Sequence, residues 1–171
     1  MFIFNILLPI ITALSSIYSF TLTGVNGGTI NLNSYAGKKI LIVNIATQCP
    51  TAQQQLQELK QLQTQYASTL QIIAIPSNDF NNMEPGTDSS INAALQSYNL
   101  NFPVSTKQHV SGNDAHPLFQ WLQHKKHNDV MDTRVRWSFT KFLIGNNGQL
   151  LRVFDPKVYA MDEMLRDAIN Q

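Results

Sequence analysis

The chain of 171 residues is poor in charge and nearly devoid of cysteine. Charged side chains make up 13% of it, and 12 Lys and Arg almost balance 11 Asp and Glu. Such a chain projects no strong field, which disfavours binding to nucleic acid or to an anionic membrane surface. One cysteine, Cys49, rules out an internal disulfide and any two-cysteine cycle within the chain. Walker loops, dinucleotide fingerprints and serine-nucleophile elbows are missing as well. What remains is the composition of one compact α/β domain, long enough to bury a sizeable core without staples.

No charged side chain precedes Lys38. The stretch from Met1 to Ser15 is apolar and resembles the hydrophobic region of a secretory signal, with small residues at Ala13 and Ser15. It lacks the usual basic residue near Met1. Asn5 and Pro9 interrupt a run that barely reaches the roughly 20 residues of a spanning helix. The expectation is a leader over 1–15, a domain over 16–171, and export to a periplasmic or secreted location.

Alternating residues around Asn26-Gly27-Gly28 predict an N-terminal β-hairpin. The unbroken apolar run Ile40 to Ala46 predicts a strand covered on both faces. Leu56, Leu59 and Leu62 mark a helix from Gln53 to Tyr66, and Leu70 to Pro76 a second buried strand parallel to the first. Helices follow from Asp88 to about Tyr98 and from His116 to His124. A second hairpin pairs Phe139–Ile144 with Leu150–Phe154 across Gly145-Asn-Asn-Gly148, and a helix from about Met161 to Ile169 closes the chain. This order predicts a thioredoxin-like α/β fold, with a central mixed sheet flanked by helices. Sites in such sheets lie at the carboxyl ends of the parallel strands, where Cys49 and the Ser77–Asp79 loop would face one another.

Most lone cysteines are small buried hydrophobes. Cys49 stands instead between a strand and a helix, after the polar turn residues Thr47 and Gln48 and before Pro50, which suits a first helical position. A sulfur at the mouth of the sheet, near a helix N-terminus, is favoured as thiolate.

Four segments together resemble the glutathione peroxidase family, over the chain from about Ser16 to its end. They are Ile42-Val-Asn-Ile-Ala-Thr-Gln-Cys49, Pro76-Ser-Asn-Asp-Phe80 with Glu84-Pro-Gly86, Asn113-Asp-Ala-His-Pro-Leu118, and Trp137-Ser-Phe-Thr-Lys-Phe-Leu143. The resemblance implies a peroxidatic role for Cys49 and an indole N–H from Trp137 to its sulfur. Asp79 stands where the family has a catalytic glutamine, Ser138 where it has a catalytic asparagine, Ser77 where many members carry a second cysteine, and Pro50 where glycine is usual. A carboxylate at Asp79 accepts hydrogen bonds where an amide would donate, and it repels an anionic sulfur. Asp79 serves only if protonated, or it turns away and Asn78 or Asn82 approaches.

The resemblance further implies a thiol peroxidase that reduces hydrogen peroxide or organic and lipid hydroperoxides through a Cys49 sulfenic acid. With no resolving cysteine, an external thiol such as glutathione or a thioredoxin-like protein would be the reductant, and no prosthetic cofactor is implied. The segment from Leu122 to Val135 lacks the assembly loop of tetrameric members, implying a monomer with a shallow site. Arg134, Arg136 and Lys141 flank Trp137 and are candidates for binding the reductant's carboxylates. His109, His116, His124 and His127 lack the Cys or carboxylate spacing of a metal site, and none is expected. His116, before Pro117, has a local structural role, and Trp121 belongs to the core. Two other readings stand beside the enzyme: a catalytically degenerate thioredoxin-fold binding protein, and a peptide-thiol oxidoreductase, which the lack of Cys-x-x-Cys disfavours.

Overall fold

The computed structural model describes residues 16–171, so the leader expected over 1–15 lies outside the described residues. Strands β1 (Thr21–Thr23) and β2 (Thr29–Asn31) form the first hairpin. Its connection closes with Gly24 N–H donating to Gly28 O at 2.6 Å, and Gly27 takes φ +89°, which an L side chain rarely adopts.

The main sheet has β3 (Lys39–Ile45) at its centre, parallel to β4 (Leu70–Pro76) and joined to it through α1 (Ala52–Gln65). Two helices follow, α2 (Asp88–Gln96) and α3 (Pro117–Gln123), with a single extra turn, α4 (Lys125–Asn128), that periodicity did not foreshadow. Strands β5 (Lys141–Ile144) and β6 (Leu150–Phe154) add an antiparallel pair, giving the order β4-β3-β5-β6, and α5 (Glu163–Asn170) ends the chain.

Side-chain alternation along β3 divides the core into two layers. Leu41, Val43 and Ile45 meet Leu56, Leu59 and Leu62 of α1 and Leu165 and Ile169 of α5. Ile40 and Ile42 face the other way, against Leu118, Phe119 and Trp121 of α3 and Leu22 and Ile30 of the hairpin. Both faces are therefore covered, and the strand is apolar at nearly every position.

Packing rather than capping holds α1. Each of its buried leucines costs about 2–5 kcal/mol to truncate, whereas an N-cap is worth about 1 kcal/mol, and the N-cap Thr51 makes no side-chain capping bond. The helix starts at Ala52, so Pro50 precedes the N-cap instead of holding the first helical position. β5 starts two residues later than expected because Phe139 takes φ +70° in a turn, which cannot continue a strand.

His116 caps α3: its Nδ1 accepts from Leu118 N–H at 3.2 Å, and burial lowers its pKa from the ordinary value. The depressed folded value means the cap's stabilisation is complete above the usual histidine pKa and fades as pH falls below it. Acidification from pH 7 to 5 is expected to lower the melting temperature of the native chain more than that of His116→Asn, which caps without titrating. Equal losses would contradict this role.

Candidate active site

Ile45 pairs with Pro76, so β3 and β4 end level, and Ser77 N–H donates to Ile45 O at 3.0 Å. The turn after β3 and the loop after β4 thus leave the sheet side by side. Cys49 sits in the first. Its N–H donates to Ala46 O at 3.2 Å, its carbonyl accepts from Ala52 N–H at 2.8 Å, and its Sγ lies 3.4 Å from Thr51 Oγ1. The expectation of an exposed sulfur is corrected: Cys49 is 7% exposed and packs with the apolar cluster that includes Ala46, Ala52 and Phe139. α1 begins three residues after Cys49, and the N-cap residue Thr51 is the hydrogen-bond partner of the sulfur.

Trp137 lies in the segment before β5, and the expectation that its indole N–H donates to the sulfur is corrected: the one hydrogen-bond partner of Cys49 Sγ among the described residues is Thr51. Its carbonyl accepts from Asn44 Nδ2 at 3.1 Å, while Asn44 O accepts from Phe139 N–H at 2.6 Å. Asn44 is fully buried on β3, five residues before the cysteine, so the strand itself carries the anchor for the indole segment. The ring stacks at a tilt on Phe80 of the second loop, with centroids 5.7 Å apart. Ser138 is buried, and its Oγ has no hydrogen-bond partner among the described residues.

Asp79 is turned away. Its carboxylate accepts from Val110 N–H at 2.6 Å, Ser111 N–H at 3.0 Å and Ser111 Oγ at 3.3 Å, and pairs with His109 Nδ1 at 2.8 Å. Burial opposes its charge, but the bonds from Val110, His109 and Ser111 outweigh that and hold the carboxyl below its ordinary pKa. An ionised Asp79 therefore braces the 109–111 segment and is not a donor to sulfur. Neither Asn78 nor Asn82 replaces it: Asn78 Nδ2 donates to Asn82 Oδ1 at 2.7 Å, and Asn78 Oδ1 accepts from Glu84 N–H. Ser77, at the second-cysteine position, is buried and accepts from Asp79 N–H through its Oγ.

The assignment of Lys141 to substrate binding is corrected too. The residue is fully buried on β5, and its Nζ donates to Phe139 O at 2.9 Å and Val158 O at 2.7 Å. Burial pushes its pKa down to about 7, against the fields of Glu58 and Asp155. Arg134 and Arg136 remain exposed. Among the described residues no cluster of His, Cys, Asp and Glu suits a metal ion. A cavity of about 430 Å³ between the β1–β2 connection and α2 contains none of the site residues. Sequence reasoning missed Thr51, Asn44 and the partnership of Thr47 with Glu84. Two polar residues directly after a buried strand and a buried asparagine within it were the available signals.

A lone cysteine in the turn after a parallel strand, on a thioredoxin-like sheet, points to the class of thiol-dependent oxidoreductases. Residues 17–123 match the glutathione peroxidase family profile. The phospholipid hydroperoxide glutathione peroxidase of Sus scrofa is 34% identical over 143 residues, covering 82% of this chain and 73% of that protein. Glutathione peroxidase 1 of Caenorhabditis elegans is 31% identical over 162 residues, covering 92% and 99%. Among solved structures, that of Trgpx in apo form aligns with a TM-score of 0.68 at 27% identity, over 92% of this chain and 97% of that one. A thioredoxin-family thiol:disulfide interchange protein from Chlorobium tepidum shares the fold, with a TM-score of 0.64 at 19% identity over 88% and 92%. The chain belongs to the glutathione peroxidase family, whose members are thiol-dependent peroxidases.

The burial of Lys141 has a test of its own. Its folded pKa lies below that of an unfolded lysine, so between about pH 7 and the usual lysine range the unfolded chain binds more protons and stability rises with pH. Denaturant titrations at pH 7.5 and 9.5 are expected to show this gain for the native chain and its loss in Lys141→Met. The same pH response in both would contradict a depressed lysine.

Proposed function

We propose that Cys49 reduces hydroperoxides and is itself restored by an external thiol. The carrying observation is the contact between Cys49 Sγ and Thr51 Oγ1 at 3.4 Å, in a turn at the carboxyl end of β3. Asp79 does not donate to the sulfur, and Thr51 supplies a hydroxyl in place of the family's amide. The thiolate attacks one peroxide oxygen. An S–O bond forms as the O–O bond breaks, and the departing oxygen takes a proton and leaves as water or alcohol. One thiol then displaces water from the sulfenic acid to give a mixed disulfide, and a second thiol cleaves that disulfide and regenerates Cys49. Cys49 is the only cysteine in the sequence, so both thiols come from outside.

Glutathione suits this reductant role, since the exposed Arg134 and Arg136 offer guanidinium groups to its carboxylates. The chain acts as a monomer. Asn128 supports the compact connection after α3: its Nδ2 donates to Trp121 O and Met131 O, leaving no projecting loop there. Lipid hydroperoxides, the substrates for which the Sus scrofa relative is named, are the proposed substrates. Export rests on the composition of residues 1–15.

The site also has features of a degenerate binder, because Asp79 is withdrawn and Ser138 Oγ is unpartnered. One assay separates the two. Stoichiometric peroxide is expected to consume the Cys49 thiol rapidly, and glutathione to restore it. Thr51→Val slows the oxidation about 10-fold, the effect of losing one hydrogen bond to a charged group. A thiol that survives peroxide would contradict the enzyme and favour the binder.

A further inference from the structure

We infer that Glu84 is a positioning residue for the peroxidatic sulfur and acts through Thr47; this rests on the peroxidase reading above. Glu84 is 1% exposed, and among the described residues its carboxyl has no cationic partner. Its hydrogen bonds go to one residue. Oε2 accepts from Thr47 N–H at 2.6 Å and Oε1 from Thr47 Oγ1 at 2.7 Å. Burying a carboxyl is expensive unless its oxygens are bonded, so this pair is a demanding and directional contact.

Thr47 is the first polar residue after β3, and Cys49 follows two positions later. The clasp is reinforced on either side. Gln48 N–H donates to Met83 O at 3.1 Å, so two successive amides of the cysteine turn are bound by the second loop. Glu84 is itself fixed through its backbone, its N–H donating to Asn78 Oδ1 at 2.8 Å and its carbonyl accepting from Lys107 Nζ at 3.2 Å. The turn thus cannot swing without breaking a buried, two-point contact. The sulfur is only 7% exposed and sits in that turn, so the direction from which peroxide meets it depends on how the contact holds the turn.

The distinguishing property is that positioning and shielding change in opposite senses. Loosening the clasp misaligns the sulfur for in-line attack on the O–O bond, and an error of about 1 Å costs on the order of 100-fold. The same loosening uncovers the thiol to reagents with no such demand.

The full chain carrying Thr47→Val, Glu84→Gln or Thr47→Ser tests this, with circular dichroism confirming the fold of each. The measurements are the second-order rates of Cys49 oxidation by hydrogen peroxide and of its alkylation by iodoacetamide. The clasp predicts that Thr47→Val and Glu84→Gln slow oxidation by about 10- to 100-fold while alkylation quickens, and that Thr47→Ser stays near the native rates on both. If peroxide leaves the native thiol untouched while alkylation still quickens in Thr47→Val and not in Thr47→Ser, the peroxidase reading fails and the clasp stands. Unchanged rates in the two folded variants, or two rates that move in the same direction, would overturn it.

Discussion

The pairing of Ile45 with Pro76 brings two strand ends to one level, and everything at the site depends on it. Parallel strands joined through α1 place their following loops on the same edge of the sheet. Ser77 N–H on Ile45 O carries that register one residue past β4, and the hydrogen bonds of Thr47 and Gln48 to Glu84 and Met83 carry it across to the cysteine turn. Asn44 performs the corresponding service on the other side of β3, tying in the segment of Trp137. One central strand therefore presents Cys49 at its end and anchors both partner segments.

Within this frame the substituted positions have found other work. A carboxylate at Asp79 facing an anionic sulfur would be repelled, and the structure removes the conflict by giving it two backbone N–H groups, a hydroxyl and an imidazole around residues 109–111. The Thr51 hydroxyl, which α1 does not use as a cap, pairs with the sulfur instead. The buried Nζ of Lys141 donates to two carbonyls, joining the turn at Phe139 to Val158. The substituted positions lie in the loops that adjoin the strands, while the strands keep the thioredoxin-like order.

Much of this was legible beforehand. The apolar run through Ile40 to Ala46, the leucines of α1 and the glycine-containing hairpins state the sheet and its order, because burial on two faces and turn geometry act locally in sequence. The four motif segments singled out Cys49, Trp137, Asp79 and Ser138 as candidates. Legibility failed where a side chain's direction depended on distant partners. Nothing adjacent to Asp79 shows that residues 109–111 will bind it, nor does a lysine beside an aromatic motif announce that Phe139 and Val158 will take its charge into the core. The depth of Cys49 likewise depends on a cluster with partners as distant in sequence as Phe139 and Phe154, which the residues around it do not announce.

The central claim is that Cys49 and Trp137 belong to one working site. It is tested most directly by indole fluorescence in Trp121→Phe, where Trp137 is the only remaining tryptophan. A stoichiometric pulse of hydrogen peroxide is expected to change the emission at the rate at which the thiol disappears, to be reversed by glutathione, and to have no effect when Cys49→Ser is added. An emission that stays constant while the thiol is consumed, or that changes equally without the cysteine, would contradict it.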